Sequence, residues 1–458
     1  MQTIGNALNA WAAFMWGTPL VVLLVGGGVF FVVHSRAVPY RYFRHGVEIL
    51  SGKYDAQSGS LGDISHFKAL ATALSGTLGM GNITGVAVAI TVGGPGAIFW
   101  MWVTAIVGVA TKFYTASLAV MFRGPDDAGH YQGGPMYVIR EALPRHFMPL
   151  AWLFAVAGLF GTLPVFQVNQ LVQVLRDFVA VPAGVTSADN HFMFDLLTGI
   201  ALSALVFAII IGRIQRIAAV TSRVVPFMVI FYFIITATLL FIHADAIPGA
   251  FMLIFEEAFR GQAVAGGALG TVILIGVQRG AFSNEAGIGT EALAHGAAKT
   301  NEPIREGVVA MIGPVVDTLI VCTCTALAIL VTGVWEGDAV GATITTLAFE
   351  TTFPGLGGYL LVVMVFFLSM STVLTFSYYG SKCAGFLFGT RFEKWYIWFY
   401  VGLITLGSVA SLRAVIGLLD GMYATMAIPT MISSLLLAPK VRAAANDYFA
   451  RLNANNQV

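Results

Sequence analysis

Charge is what this sequence lacks most. Only 10% of its 458 residues are Asp, Glu, Lys or Arg, against 57% hydrophobic residues, and a mean hydropathy of +0.82 is too apolar for a water-soluble chain of this length. A lipid bilayer is the solvent that suits it. The 24 basic and 23 acidic residues nearly cancel, so no basic excess points to nucleic acid. Cysteine is scarce too: Cys322, Cys324 and Cys383 cannot build a disulfide framework and read as packing residues. Also lacking are a Walker motif, a dinucleotide fingerprint and any metal-ligand spacing, which leaves ATP-driven pumping and cofactor chemistry without support. The first hydrophobic run, Trp11 to Val33, has neither the basic start nor the cleavage site of a signal peptide and is expected to remain as a helix.

What is present is a series of apolar runs, each near the roughly 20 residues that cross a bilayer. They fall near 11–33, 66–93, 95–122, 150–176, 193–212, 217–243, 263–297, 306–333, 358–380, 395–412 and 414–438. The expected fold is therefore all-α, a polytopic bundle of about eleven transmembrane helices. Nineteen of the basic residues fall in alternate loops and three (Arg176, Arg260, Arg413) in the opposite set, with Lys112 and Arg279 inside helices. Basic residues are retained on the cytoplasmic side, so the expected amino terminus is outside and the carboxyl terminus inside, in the cell inner membrane. One leading helix (11–33) followed by ten divides into two five-helix repeats of opposite topology, 65–243 and 262–438, with 439–458 as a cytoplasmic tail. Inverted repeats are a transporter architecture.

Each repeat opens on an irregular span. In the first, SGTLGMGN (Ser75 to Asn82) puts Gly76, Gly79 and Gly81 within six residues at mid-membrane depth, where a continuous helix would be poor. A break there frees carbonyls suited to a cation and amides suited to a carboxylate. Asn82 could cap the second half-helix or offer its amide oxygen to the cation; tight helix packing is the plainer role for the glycines. In the second repeat GVQRGAFSNEAGIG (Gly276 to Gly289) carries Arg279 and Glu285. Ser283 reads as a cap, Glu285 as a first-turn residue, and the break as lying near Gly276 to Phe282. Arg279 and Glu285 could pair across it as a gate or face a water-filled vestibule.

Other polar groups lie at membrane depth. Gln167 and Gln170 share a face of the span near 150–176, and one of them is expected at the substrate. Ser369, Ser371, Thr372 and Thr375 offer hydroxyls that more often bond their own helix. Asp317 is costly unless paired, protonated or ion-bound, and has no assigned role; Asp195 and Asp420 read as interfacial. A channel would call for rings of like residues, and an intramembrane enzyme for a nucleophile beside a base. His130, Ser283 and His295 are too scattered for the latter.

Long strings resemble the alanine or glycine:cation symporters, a family of the leucine-transporter-fold superfamily: ALSGTLGMGNITGVAVAI from Ala73, GGPGAIFWMWVTAIVGVATKF from Gly93, QGGPMYVI from Gln132 and VQRGAFSNEAGIGTEALAHGAAKTNEPIREG from Val277. The leucine-transporter fold is itself a standing example of inverted repeats with interrupted helices. The resemblance implies sodium-coupled symport of small neutral amino acids, alanine and glycine, with no organic cofactor; glutamine as substrate or protons as coupling ion are the alternatives. It places sodium at the carbonyls of Ser75 and Leu78 and the hydroxyls of Ser371 and Thr372. Thr77, Gly79, Gly81 and Asn82 would surround the amino acid, with Ile273, Ile275 or Gly276 closing the site from the second break.

Overall fold

The computed structural model describes residues 2–54, 60–187, 189–259, 268–337, 341–410 and 412–455. Helices dominate, and the two strands among the described residues, Gly124–Pro125 and Tyr131–Gln132, form one short antiparallel hairpin. Each apolar run of the sequence is helical over most of its length. Among the described residues, eight helices are long and apolar enough to cross a membrane, and a ninth span forms if the bent pair His66–Thr77 and Met80–Gly93 counts as one. Eleven is thus not the number these criteria give: Ala268–Asn284 and Thr390–Val409 are helical but fall outside the set. Large apolar side chains such as Val22, Phe227, Ile230, Ile234 and Trp398 face outward, as helices in lipid require, whereas a water-soluble surface would not carry so many.

Several boundaries differ from expectation. The leading helix is two pieces, Gln2–Met15 and Thr18–His34. The start expected for the second repeat, residue 262, lies outside the described residues. The segment expected as a tail continues the helix Leu412–Asn455 through Pro429 and Pro439. It is also packed: Tyr448 and Phe449 are buried, with Tyr448 bonded to His45 at 2.7 Å and Phe449 stacked on Tyr42. Aromatic residues about three turns beyond the apolar run make that docking possible, and a polar-tail reading overlooks them.

The largest correction concerns the second broken helix. Ala268–Asn284 runs unbroken through Gly276 to Phe282, and the chain leaves helical geometry only at Glu285, resuming as Glu291–His295. Positive φ at Glu285 (55°), Gly287 (88°) and Gly289 (94°) makes the break. Gly276 and Gly280 serve packing instead: a β-carbon on Gly276 would lie 2.5 Å from the Ala97 carbonyl oxygen, and one on Gly280 3.1 Å from Met101 Cα. Glycine there lets two helices approach closely. Ser283 therefore precedes the break and does not cap a new helix, and Glu285 is in the break and not in a first turn.

Candidate functional site

The two breaks meet at the centre of the bundle. The first bends its span by 60° between Thr77 and Met80, leaving Leu78 and Gly79 extended and Met80–Asn82 as a single 3-10 turn. Gly79 is where the backbone needs glycine: a β-carbon would lie 2.7 Å from Thr372 Oγ1 and 3.3 Å from Gln167 Nε2. Gly81 is less crowded, its β-carbon meeting nothing nearer than Phe282 at 3.5 Å.

Around the first break oxygens converge. Thr372 Oγ1 is 3.3 Å from the Leu78 carbonyl, and it and Ser371 Oγ each lie 3.0 Å from the Leu368 carbonyl. Ser75 Oγ donates to the Ser371 carbonyl at 2.6 Å and accepts from Thr375 Oγ1 at 2.9 Å. All these residues are buried. Apart from Met228 Sδ, 3.8 Å from Ser371 Oγ, the cluster is uncharged hard oxygen, which suits a group 1 cation better than a transition metal. The structure thus gathers Ser75, Leu78, Ser371 and Thr372 in one place and adds Leu368, whose only sequence signal is that it lies one helical turn before those hydroxyls.

Asn82 faces the other side of the break. Its Oδ1 accepts from the Gly79 amide at 2.9 Å, and its Nδ2 donates to Asp317 Oδ1 at 2.5 Å. Asp317 Oδ2 accepts from Ser283 Oγ at 2.8 Å and Thr318 Oγ1 at 2.7 Å. Asp317 is therefore fully buried and bonded through both oxygens, on the π-helical stretch Val315–Cys322. Such widened turns recur at functional sites because they turn a side chain and backbone out of register. Lys112 is buried on Ala97–Met121, the helix that packs against this stretch.

Between the breaks lies a cavity of about 20 Å³, bounded by Thr77, Gly79, Gly81, Gln167, Phe166, Phe282, Glu285, Phe376 and Tyr423. Gln167 reaches across it, its Oε1 accepting from the Met80 amide at 3.2 Å. Gln170 does not: it is partly exposed, contacts Gln173, and is absent from the cavity wall. Three helix positions turn it about 300°, but Gln167 alone lies on the face toward the break. Ile273 and Gly276 also stay off the wall. Both precede the break by more than two turns.

Arg279 and Glu285 do not pair. Arg279 Nη2 is 3.9 Å from Asp420 Oδ2, and the Asp420 carbonyl accepts from Trp16 Nε1 at 2.9 Å. Asp420, expected at an interface, is buried. Glu285 accepts from Thr290 Oγ1 and, at 3.1 Å, from Tyr423 OH. Six residues of helix carry Arg279 nearly two turns away from the break, which is why neither partner can reach the other.

At one end of the bundle the two broken helices are tied together. Ile64 bridges Ala298, with the Lys299 amide donating to the Ile64 carbonyl at 2.6 Å. Arg123 donates to the carbonyls of Leu61, Gly296, Ala298 and Thr300. Buried Glu306 takes His66 on one oxygen and His295, at 2.6 Å, on the other. His295 is thus an internal partner, and nothing local in the sequence announces it. Beside this knot a second cavity of about 660 Å³ opens among Asp63, the 124–132 hairpin, Arg213, Lys382 and Glu393. It occupies the end of the bundle rich in basic loops.

Comparison with known proteins fits this geometry. The model of the sodium:alanine symporter family matches residues 1–458. The chain is 40% identical over 438 residues to the sodium/alanine symporter AgcS of Methanococcus maripaludis, covering 94% of each. It is 32% identical to the probable sodium/glutamine symporter GlnT of Bacillus subtilis, covering 95% of this chain and 88% of that one. Among solved structures, that of MhsT in complex with L-phenylalanine superposes with a TM-score of 0.57 over 84% of this chain and 98% of that one; at 13% identity it bears on the fold alone. It carries the leucine-transporter fold, and so does this chain. A break in each of two membrane helices, an oxygen cluster beside one and a full-length family match lead to one conclusion: the chain belongs to the sodium:alanine symporter family, whose members are transporters and not enzymes.

Proposed function

We propose that this protein imports a small neutral amino acid, alanine or glycine, together with sodium, by alternating access across the cell inner membrane. The observation that carries the reading is the central cavity itself: it is only about 20 Å³, it lies where both helices break, and aromatic rings from Phe166, Phe282, Phe376 and Tyr423 close it. The wall must move for any amino acid, and it must move less for a methyl side chain than for a carboxamide two carbons longer. This favours alanine and glycine over glutamine. Sodium is assigned to the oxygens of Ser75, Leu78, Leu368, Ser371 and Thr372, and the amino acid to Thr77, Gly79, Gly81 and Gln167; Asn82, off the cavity wall, fixes the turn through the Gly79 amide and Asp317. With the amino terminus outside, the 660 Å³ cavity lies on the cytoplasmic side, beside the contacts that tie the two broken helices together. The proposed repeats are 65–243 and 262–438.

Purified protein in liposomes tests this directly. Labelled alanine should accumulate under an inward sodium gradient, compete with glycine and resist a tenfold excess of glutamine. Accumulation driven by a proton gradient in the absence of sodium, or displacement by glutamine at equal concentration, would overturn the assignment of ion or substrate respectively.

A further inference from the structure

Among the described residues, one wall residue of the central cavity carries a formal charge, and it is Glu285. Its side chain is 1% exposed and makes no ion pair among the described residues; its two hydrogen bonds come from the neutral hydroxyls of Thr290 and Tyr423. Each carboxylate oxygen has a second lone pair to offer. The backbone adds an independent observation. Glu285 has φ of 55°, a left-handed conformation that strains any residue with a β-carbon and that glycine adopts freely. The same break uses glycine for its other two left-handed positions, Gly287 and Gly289. A carboxylate is held at this one against local backbone preference.

The opposite wall offers the complement. The wall residue Gln167 accepts from the Met80 amide through Oε1 at 3.2 Å, in the turn Met80–Asn82 that leads into the half-helix Thr84–Gly93. The positive end of that half-helix's dipole therefore stands on the first-break side of the cavity, where a carboxylate could take over the Met80 amide from Gln167, with the negative side chain of Glu285 on the second-break side.

We propose that Glu285 binds the ammonium group of the substrate, so that the zwitterion lies across the cavity with its carboxylate at the Gly79 to Asn82 turn. This rests on the central cavity being the amino-acid site. Glu285 is then a specificity residue: it demands a cationic nitrogen on the α-carbon and repels the anion of a 2-hydroxy acid, whose shape is otherwise nearly the same. Tyr423 and Thr290 hold the carboxylate in place.

Calorimetric binding of L-alanine and L-lactate to the purified, sodium-loaded protein tests it with Glu285→Gln and Glu285→Asp. The native protein should bind alanine at least 100-fold more tightly than lactate. In Glu285→Gln alanine should weaken at least tenfold while lactate does not, and Glu285→Asp should restore part of the preference. An unchanged alanine-to-lactate ratio in Glu285→Gln, whether or not both ligands weaken, overturns the assignment. Failure of the native protein to bind any neutral amino acid would overturn the site reading, and the ammonium assignment with it.

Discussion

Asn82 and Asp317 lie 235 positions apart and meet at 2.5 Å. The contact joins the first broken helix to the π-helical stretch, and Ser283 joins the second broken helix to the same carboxylate at 2.8 Å. Three segments around the central cavity thus share one buried acid. Asp317→Asn keeps the volume but removes the charge that holds those donors, and hydrogen bonds to a charged group contribute about 1.5–3 kcal/mol. Alanine uptake by this variant should fall roughly 10- to 100-fold while the purified protein remains monodisperse. Uptake within twofold of the native rate would show that the acid is not needed.

Gly79, rather than Gly81, is the position that should not accept a side chain. A β-carbon at Gly79 falls 2.7 Å from Thr372 Oγ1, against 3.5 Å to the nearest atom at Gly81, and contacts under about 3 Å force the surroundings to move. Gly79→Ala should abolish sodium-driven uptake and Gly81→Ala should retain a measurable fraction of it. Equal activities of the two variants would remove the distinction.

How much of this is legible in the sequence follows from how local each signal is. The first break is readable because its glycines alternate with the polar Ser75, Thr77 and Asn82 at mid-membrane depth; glycine density alone does not break a helix, since Gly26, Gly27 and Gly28 sit inside the continuous helix Thr18–His34. The second is misplaced by the same reasoning because Gly276 and Gly280 carry the same symbol for a different reason: they meet Ala97 and Met101 on another span, and a string of residues does not say what a glycine faces. Glu285 in a left-handed conformation is disguised likewise, since Ser283 followed by an acid two positions later imitates a helix start. The hydroxyls Ser371 and Thr372 need the family resemblance to stand out from ordinary backbone-bonded ones. Partners such as Asp317 to Asn82, or Glu306 to His66 and His295, are set by packing between segments and leave no periodic trace. Gln167 and Gln170 are narrowed to a pair by helical spacing, and only the tertiary structure says which faces inward.

Replacing Ser371 and Thr372 together by alanine should raise the sodium concentration for half-maximal uptake about tenfold, the equivalent of roughly 1.4 kcal/mol. Both hydroxyls lie against the Leu368 carbonyl at 3.0 Å, so the variant leaves backbone oxygens in place and weakens the cluster without emptying it. Sodium titration of alanine uptake in liposomes checks this. An unaltered sodium curve would mean the ion binds elsewhere.

Gly276 separates a packing role from a substrate role. With Ala97 and Trp100 atoms 2.5 and 2.6 Å from any β-carbon placed there, Gly276→Ala should push two helices apart. Overpacking of this kind costs about 1–3 kcal/mol. The expected result is a lowered thermal midpoint in detergent with the dissociation constant for alanine, measured well below that midpoint, within about threefold of native. A native midpoint with a weakened alanine constant would return Gly276 to the substrate site.

Arg279 and Asp420 form the ionic contact that Arg279 and Glu285 do not. At 3.9 Å, with Arg279 about 20% exposed and Asp420 about 13% exposed in its side chain, the pair is neither solvent-screened nor tightly bidentate. Its separate members should matter more than their sum: removing either leaves a poorly solvated charge, whereas removing both leaves none. The Asp420 carbonyl, held by Trp16 at 2.9 Å, keeps the backbone in place whichever side chain is present. Arg279→Gln and Asp420→Asn should each slow alanine uptake severalfold, and the double variant should be no slower than the worse single one. A coupling of about 1 kcal/mol between the sites is expected from such a cycle. Arg279→Lys, which preserves the charge on a shorter and less forked group, should keep most of the rate. Because Glu285 is held by Thr290 and Tyr423, Glu285→Gln should combine additively with Arg279→Gln. Coupling between Arg279 and Glu285 in place of Arg279 and Asp420 would mean that the acid facing the arginine during transport is the one in the break.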